Sequence, residues 1–215
     1  MGRLVGVFGT AGFAREVMPL LRRQLASSGA DEELVFVAPT AEAPVNGVRV
    51  MEEEQFLASA QERAFTVAIA DGSIRRKLFA RAMDSGARAL DVRAASAEVL
   101  DAVTLGHGAI LCGHSSVTSN TTVGIGFHLN ISSYLAHDCI IGDFVTFGPN
   151  VVCAGNVVVE DGAYIGGGAL IRQGKPGKPL VIGAGAVVGM GAVVTKSVPP
   201  ATTVVGNPAR PIVKG

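Results

Sequence analysis

The segment that decides the fold is LNISSYLAHDCIIGDFVTF, residues 129 to 147. Apolar residues recur in it every six positions, at Leu129, Leu135, Ile141 and Phe147. The same column runs without a miss from Val99 to Ile171, thirteen members in all, and a second inward column precedes it by two positions, from Val103 to Ala169. A period of six fits neither a helix nor an alternating strand. It predicts short strands joined by sharp turns and stacked, three to a coil, as a parallel β-helix.

The column is interrupted once. After Ile171 its next member is Ile182, eleven positions later instead of six. The interruption begins with a basic segment rich in proline and glycine, residues 172 to 179, which cannot continue the coil. We therefore predict that a loop, residues 172–181, leaves the coil at this point.

The first ninety residues follow a different pattern, in which strand-like and helical segments alternate. The predicted strands are Leu4–Phe8, Leu34–Val37, Val48–Val50 and Phe65–Ala70, and the predicted helices are Arg15–Leu25, Glu52–Gln61 and Ser73–Ser85. This alternation favours a small parallel sheet covered by helices, an α/β half-Rossmann domain. We expect a domain over residues 1–92 and an all-β domain over residues 93–215, which ends in a C-terminal tail.

Composition limits the partners and the compartment. Eighteen basic and eighteen acidic side chains balance, so no basic field favours nucleic acid. Cys112, Cys139 and Cys153 are odd in number and lack CxxC spacing, which argues against a disulfide framework and a zinc site and favours the cytoplasm. The four histidines form no cluster at metal-ligand spacing, so no metal is expected. Apolar runs are too short for a membrane span.

A glycine turn, Gly9-Thr10-Ala11-Gly12-Phe13, lies between the first strand and the first helix. Such a turn offers backbone N–H groups and the helix dipole to a phosphate, so Gly9, Thr10, Gly12 and Phe13 are candidate nucleotide-binding residues. The spacing differs from GxGxxG, and Ala38-Pro39 replaces the acid expected in an NAD site, which disfavours a dinucleotide redox enzyme. These glycines could equally serve only the tight turn.

A second signal follows the strand that ends at Ala70. Asp71 and Arg75 come next in the chain and could complete a nucleotide site with a carboxylate and a guanidinium. The alternative is that Asp71 only caps the helix that begins here. The sequence leaves both interpretations open.

The hexapeptide columns, the segment from Asn130 to Asp143 and the ending Val205-Gly206-Asn207-Pro208-Ala209-Arg210-Pro211 resemble the left-handed β-helix acyltransferases. With the α/β domain in front, the whole chain resembles bacterial N-acetyltransferases of nucleotide-linked 4-amino-4,6-dideoxyhexoses, which are related to sialic-acid O-acetyltransferases. The resemblance implies a left-handed coil, acetyl-CoA as acyl donor, a homotrimer and a role in cell-surface polysaccharide biosynthesis.

The same resemblance assigns candidate catalytic residues. His137 would be the general base, Asp138 would orient its ring, and Asn130 would lie near the reacting centre. Several relatives carry a second histidine nine residues after the base, where this chain has Thr146, so its role is open. A nucleophilic Cys139 is disfavoured, because its inward position predicts a buried thiol of raised pKa; direct transfer is expected.

Coenzyme A would lie in the groove between adjacent β-helices, with its adenine end near the last coils. Its phosphates would pair with nearby cations, and glycines would let the pantetheine arm approach the backbone. The candidate residues are Gly167, Arg172, Lys175, Lys178, Gly189, Lys196 and Arg210. A solvated basic loop that only protects the edge of the coil is the alternative.

The favoured function is therefore an acyl-CoA-dependent N-acyltransferase acting on the amino group of a nucleotide-linked amino-deoxy sugar. A sialic-acid-type O-acetyltransferase is the nearest alternative, because nothing in the sequence separates nitrogen from oxygen as acceptor. A small-molecule acetyltransferase and a non-catalytic β-helix protein are less favoured. The nucleotide (UDP, GDP or dTDP), the sugar, the length of the acyl group and the glycan pathway stay open.

Overall fold

A computed structural model describes residues 2–26 and 32–212. The first domain is built from β1 (Arg3–Phe8), α1 (Gly12–Ala26), β2 (Glu32–Ala38), β3 (Val50–Glu52), α2 (Glu53–Ala58), β4 (Arg63–Val67), α3 (Gly72–Asp84) and β5 (Arg88–Ala89). All its strands pair in parallel, in the order β3-β2-β1-β4-β5. The alternation of short apolar strands with amphipathic helices thus forms the predicted half-Rossmann domain.

The strand order places a switch point beside β1. From β1 the chain crosses to β2 on one side and later to β4 on the other. The turns that follow β1 and β4 therefore diverge at the carboxyl edge of the sheet, where open α/β sheets bind their ligands. The two turns lie close together, since a Cβ built at Gly9 would be 3.3 Å from the Ala68 carbonyl oxygen.

The second domain is a left-handed parallel β-helix, as the resemblance implied. Its strands are β6 (Val92–Arg93), β7 (Glu98–Val99), β8 (Thr104–Leu105), β9 (Ile110–Leu111), β10 (Ser116–Val117), β11 (Thr122–Val123), β12 (His128–Leu129), β13 (Tyr134–Leu135), β14 (Ile140–Ile141), β15 (Thr146–Phe147), β16 (Val152–Cys153), β17 (Val157–Val159), β18 (Tyr164–Ile165), β19 (Leu170–Ile171), β20 (Leu180–Ile182), β21 (Val187–Val188), β22 (Val193–Val194), β23 (Thr203–Val205) and β24 (Arg210–Pro211). Strands pair one coil apart, as Tyr134 pairs with Val152 at a spacing of 18 residues.

Both inward columns form one continuous core. From Leu111 onward the six-residue column is almost fully buried, and the column two positions earlier, which includes Phe127 and Val145, is buried with it. Beyond the predicted loop the pairing changes, because Tyr164 pairs with Val187 at a spacing of 23. Five extra residues are therefore inserted in the turn 172–179, and the strand β20 resumes at Leu180, one residue before the predicted end of the loop.

The triangular coil has three faces and three edges. The covered face carries β6, β9, β12, β15, β18, β21, β23 and β24; the second face carries β7, β10, β13, β16, β19 and β22; the third face carries β8, β11, β14, β17 and β20. We call the turns between the covered and second faces, including residues 130–133, the asparagine edge. The turns between the second and third faces, including residues 136–139, form the histidine edge. The turns between the third and covered faces, including residues 142–145, form the α3 edge.

The first domain packs on the covered face and the α3 edge. Its contacts bury side chains that point out of the coil, among them Ile110, His128 and Thr146. Helix α3 lies so close to its edge that a Cβ at Gly72 would be 2.6 Å from the Phe144 carbonyl oxygen. The carboxyl edge of the first sheet is thereby fixed above the middle coils. Among the described helices, none is long and apolar enough to cross a membrane.

Candidate active site

His137 and Asp138 form a pair on the histidine edge. Nδ1 of His137 is 2.7 Å from Oδ2 of Asp138, and the His137 side chain is 48% exposed. Asp138 adopts a left-handed backbone conformation (φ 56°), which Asp and Asn tolerate better than most residues, and this turn brings its carboxylate beside the preceding ring. Since a carboxylate only accepts hydrogen bonds, Nδ1 carries the proton and Nε2 keeps a free lone pair.

Gly155, one coil further on, supports the histidine ring. A Cβ built there would be 2.6 Å from Cε1 and 2.7 Å from Nε2 of His137, although the backbone conformation of Gly155 does not itself require glycine. The ring therefore lies directly against the glycine backbone. Sequence reasoning did not identify this residue, but the 18-residue spacing from His137 could have done so.

Asn130 occupies a different edge of the same chain. It lies at the start of the turn on the asparagine edge, and its Oδ1 accepts a hydrogen bond from the backbone N–H of Ile131 (2.8 Å). The strand β13 separates it from His137 along the second face. A single chain therefore does not bring these two predicted catalytic residues together.

The cysteines are buried free thiols. Burial raises the pKa of Cys112 to about 12. A hydrogen bond between Cys139 and Cys153 lowers the pKa of Cys139 and raises that of Cys153, so the expectation of a raised pKa was wrong for Cys139. Cys139 nevertheless points into the coil with no exposed surface, and its Sγ contacts the Ala154 carbonyl oxygen at 3.4 Å. A thiol in this position cannot reach a substrate.

Four of the predicted coenzyme-binding cations gather at one site. Arg172, Lys175, Lys178 and Lys196 line a cavity of about 240 Å³ at the far end of the histidine edge. Lys196 also lines a neighbouring cavity of about 220 Å³ together with Arg210. Gly174 in this loop donates a backbone hydrogen bond to the carbonyl of Gly155 (3.0 Å), the residue against which the His137 ring lies. His137 and these four cations therefore lie on the same edge of the coil.

The two predicted glycines lie elsewhere. Gly167 and Gly189 stand in consecutive turns of the asparagine edge, together with Asn130. Both have ordinary backbone conformations, and both are partly exposed. In one chain they are thus separated from the basic loop by the second face.

The glycine turn lies at the carboxyl edge of the first sheet, as predicted. Gly9 has φ 108°, and its N–H is already bonded to the Val37 carbonyl (2.9 Å). Helix α1 begins at Gly12, which is exposed, and a Cβ placed on this residue would meet no other atom within 4 Å. The Phe13 ring packs against His128 (5.0 Å between centroids), so that side chain faces the β-helix. Free donors at this turn are therefore the first backbone N–H groups of α1.

Asp71 caps helix α3 and also faces a cavity. Its Oδ1 accepts hydrogen bonds from the backbone of Ser73 (2.8 Å) and Ile74 (3.0 Å), which lowers its pKa. The same residue lines a cavity of about 490 Å³ with Thr146 and Tyr164, between the carboxyl edge and the covered face. Tyr164 was not predicted; it is the outward residue one coil after Thr146.

The prediction for Arg75 was wrong. This side chain is fully buried, and protein oxygens from both domains accept hydrogen bonds from its guanidinium. No nitrogen is left to face a nucleotide. The guanidinium points against the β-helix instead, where it contacts the carbonyls of Gly126 and Phe144.

No group of three or more His, Cys, Asp or Glu side chains within residues 2–26 and 32–212 could hold a metal ion. The candidate site consists of a half-exposed His–Asp pair, a basic loop on the same edge, and the exposed N-terminus of α1 above the covered face. Such groups can remove a proton and bind anions.

Known proteins share this architecture. The chain is 47% identical to the GDP-perosamine N-acetyltransferase of Escherichia coli O157:H7 over 210 residues, 96% of this chain and 95% of the relative. WeeI from Acinetobacter baumannii AYE is 47% identical, with a TM-score of 0.94 over 98% of this chain and 100% of its own. A mutant perosamine N-acetyltransferase from Caulobacter crescentus in complex with CoA and GDP-perosamine is 28% identical, with a TM-score of 0.86 over 98% and 97% of the two chains. No protein-family model matches the chain.

Proposed function

Since this chain belongs to the hexapeptide-repeat sugar N-acetyltransferases, enzymes that acylate nucleotide-linked amino sugars, we propose that it transfers the acetyl group of acetyl-CoA to the amino group of GDP-perosamine. The observation that carries the proposal is the His137–Asp138 pair (2.7 Å), whose free nitrogen lies on the edge that leads to the basic loop. Among the nucleotides that the sequence left open, GDP is supported by the names of two relatives, a GDP-perosamine N-acetyltransferase and a perosamine N-acetyltransferase in complex with GDP-perosamine.

His137 is the base in this reaction. The sugar nitrogen attacks the thioester carbonyl carbon, and Nε2 of His137 takes the proton that the nitrogen loses. Asp138 holds Nδ1 and stabilises the imidazolium that forms. The tetrahedral intermediate then expels the CoA sulfur, which receives the proton, and the acetamide is released. The backbone N–H of Gly155, which makes no hydrogen bond to the described residues, is a candidate donor to the oxyanion.

Each substrate has its own binding region. The N-terminus of α1 and the crevice beside Asp71 hold the nucleotide, because backbone N–H groups and a helix dipole favour phosphate. The loop cations Arg172, Lys175 and Lys178 hold the phosphates of CoA, joined by Lys196 and Arg210. Free thiols favour the cytoplasm as the site of the reaction.

The complete site requires a second copy of the chain. Tyr134, Val152 and Leu170 form an exposed apolar row on the second face, between 39% and 45% exposed. Three copies that turn this face toward a common axis bury the row and bring the histidine edge of each copy beside the asparagine edge of the next. Asn130, Gly167 and Gly189 of one copy then complete the site that contains His137 of its neighbour.

Complementation between inactive variants tests this arrangement. His137→Ala and Asn130→Ala chains are purified separately and then together after co-expression, and acetyl transfer is followed by thiol release. In randomly mixed trimers, roughly a quarter of the sites pair an intact histidine with an intact asparagine, so roughly that fraction of wild-type activity is expected. No recovery would place both residues in one chain.

A panel with GDP-, UDP- and dTDP-linked amino sugars tests the nucleotide, and a preference for UDP or dTDP would contradict GDP-perosamine as substrate.

A further inference from the structure

Arg75 bridges the two domains with all of its donors. Nε donates to the Gly126 carbonyl (2.9 Å), and Nη1 donates to the carbonyls of Ile69 (2.6 Å) and Ala70 (3.1 Å). Nη2 reaches the Phe144 carbonyl (2.7 Å), the Val145 carbonyl (3.2 Å) and Oγ1 of Thr146 (3.0 Å). The loop before α3 and the turn of the α3 edge are thereby tied to the same planar group.

Thr146 closes this network. Its Oγ1 accepts from Arg75 and donates to the Ala70 carbonyl (2.8 Å), so three groups from the two domains are mutually bonded. The hydroxyl is buried, although it points out of the coil. No carboxylate contacts the guanidinium among the described residues, and burial lowers the pKa of Arg75 to about 10, so the charge persists at neutral pH and depends on these neutral oxygens.

The network joins the proposed nucleotide crevice to the coil that carries His137. Ala70 directly precedes Asp71, which lines the crevice at the carboxyl edge. Thr146 lies in the coil that begins with the His137 turn, and it forms the floor of the same crevice. A shift of the loop against the coil would move the nucleotide relative to the base.

We propose that Arg75 and Thr146 are positioning residues, which hold the nucleotide-binding crevice at the distance from the histidine edge that acetyl transfer requires. This inference rests on the proposed function, since it presumes that the crevice binds the nucleotide and that the histidine edge carries the base.

The test uses Thr146→Val, which keeps the side-chain shape and removes the hydroxyl. Thr146→Ser keeps the hydroxyl, and Thr122→Val is a matched control, because Thr122 is an exposed outward residue on the third face. We measure kcat/KM for GDP-perosamine, calorimetric affinities for GDP and for CoA separately, and backbone hydrogen exchange of residues 70–74.

Thr146→Val should lower kcat/KM about tenfold, the effect of leaving buried polar partners unpaired, while GDP and CoA each bind within about twofold of wild type. Exchange of residues 70–74 should accelerate, and Thr146→Ser and Thr122→Val should resemble wild type. The proposal is wrong if Thr146→Val resembles Thr122→Val, if either binary affinity falls as far as kcat/KM, or if the variant fails to fold. A wild-type enzyme inactive on GDP-perosamine would instead contradict the proposed function.

Discussion

His137 is half-exposed on an edge of the coil, and its ring is fixed from two sides by Asp138 and Gly155. Each contact has a separate consequence. The carboxylate determines which ring nitrogen is protonated, and the glycine determines where the other nitrogen lies. The two effects can be separated by substitution.

Removing the imidazole should abolish proton transfer and leave binding intact. His137→Ala is expected to lower kcat by roughly 10²–10⁴ with little change in the affinity for either substrate. Asp138→Asn should cost less, because the base stays present but loses its orientation. His107→Ala serves as a control, since that histidine is exposed and pairs with no carboxylate among the described residues. Steady-state kinetics measure kcat and KM for each variant. A fully active His137→Ala together with an inactive Cys139→Ser would require a covalent mechanism instead.

Gly155→Ala should displace the base without disturbing the backbone. The added Cβ would overlap the His137 ring, which must rotate away from Asp138, and a misplacement of about 1 Å costs on the order of 10²-fold in rate. Gly113→Ala is the matched control, because its Cβ would meet only Ser96 Oγ at 3.4 Å. A crystal structure and kcat of both variants test this. Wild-type kcat for Gly155→Ala would show that ring placement is unimportant.

At the scale of elements, the loop 172–179 and the N-terminus of α1 bind different anions in our proposal. The loop extends the histidine edge, whereas α1 begins at the carboxyl edge of the first sheet. Changes in one should therefore leave the ligand of the other unaffected.

Replacing Arg172, Lys175 and Lys178 together by Ala should raise KM for acetyl-CoA about tenfold or more, with KM for the sugar nucleotide nearly unchanged. The increase should shrink at high salt, because screening weakens the wild-type contacts. Lys77→Ala with Arg88→Ala, two exposed cations outside this edge, is the control. Equal changes in both KM values, or none, would leave the loop only a protective role at the edge.

Gly12→Val tests the start of α1. The position has open space around a Cβ and an ordinary backbone conformation, so the melting temperature should hardly change. A branched side chain would nevertheless block the approach of a phosphate to the helix N-terminus, and GDP affinity should fall about tenfold. Calorimetric titrations with GDP and with CoA measure the affinity of the variant for each ligand. Unchanged GDP affinity would remove this turn from the site.

At the scale of the molecule, acid should weaken the junction between the domains. His128 is fully buried between Val67 and Phe13, and burial together with the charge of Arg75 holds its pKa well below the ordinary value. The unfolded chain binds the proton at a higher pH than the folded chain, so this contribution to stability is present above the pKa of the unfolded chain, about 6.5, and is lost progressively as the pH falls below it.

His128→Gln should flatten this acid dependence while keeping a donor for the Val67 carbonyl. Thermal unfolding of both proteins between pH 5 and pH 7.5 measures the difference. Parallel pH profiles for the variant and the wild type would show that His128 does not titrate on unfolding.

The coil follows from the sequence alone, because an apolar residue that recurs every six positions through thirteen members is compatible with few folds, and the family follows from the resemblance of the whole chain. The fold class and the N-acetylation of a nucleotide-linked sugar are confirmed. The roles of individual site residues are still predictions, and the pairing of His137 with Asp138 followed from their adjacency.

The packing of the two domains determines which outward residues face solvent and which face the other domain. Arg75 was misjudged, the role of Thr146 was left open and Gly155 was missed, because their contacts lie 71 and 18 residues away along the chain, in the first two cases across a domain boundary. Periodicity specifies which side chains point into the coil. It cannot specify what packs against the outside, since that depends on how two independently formed elements dock.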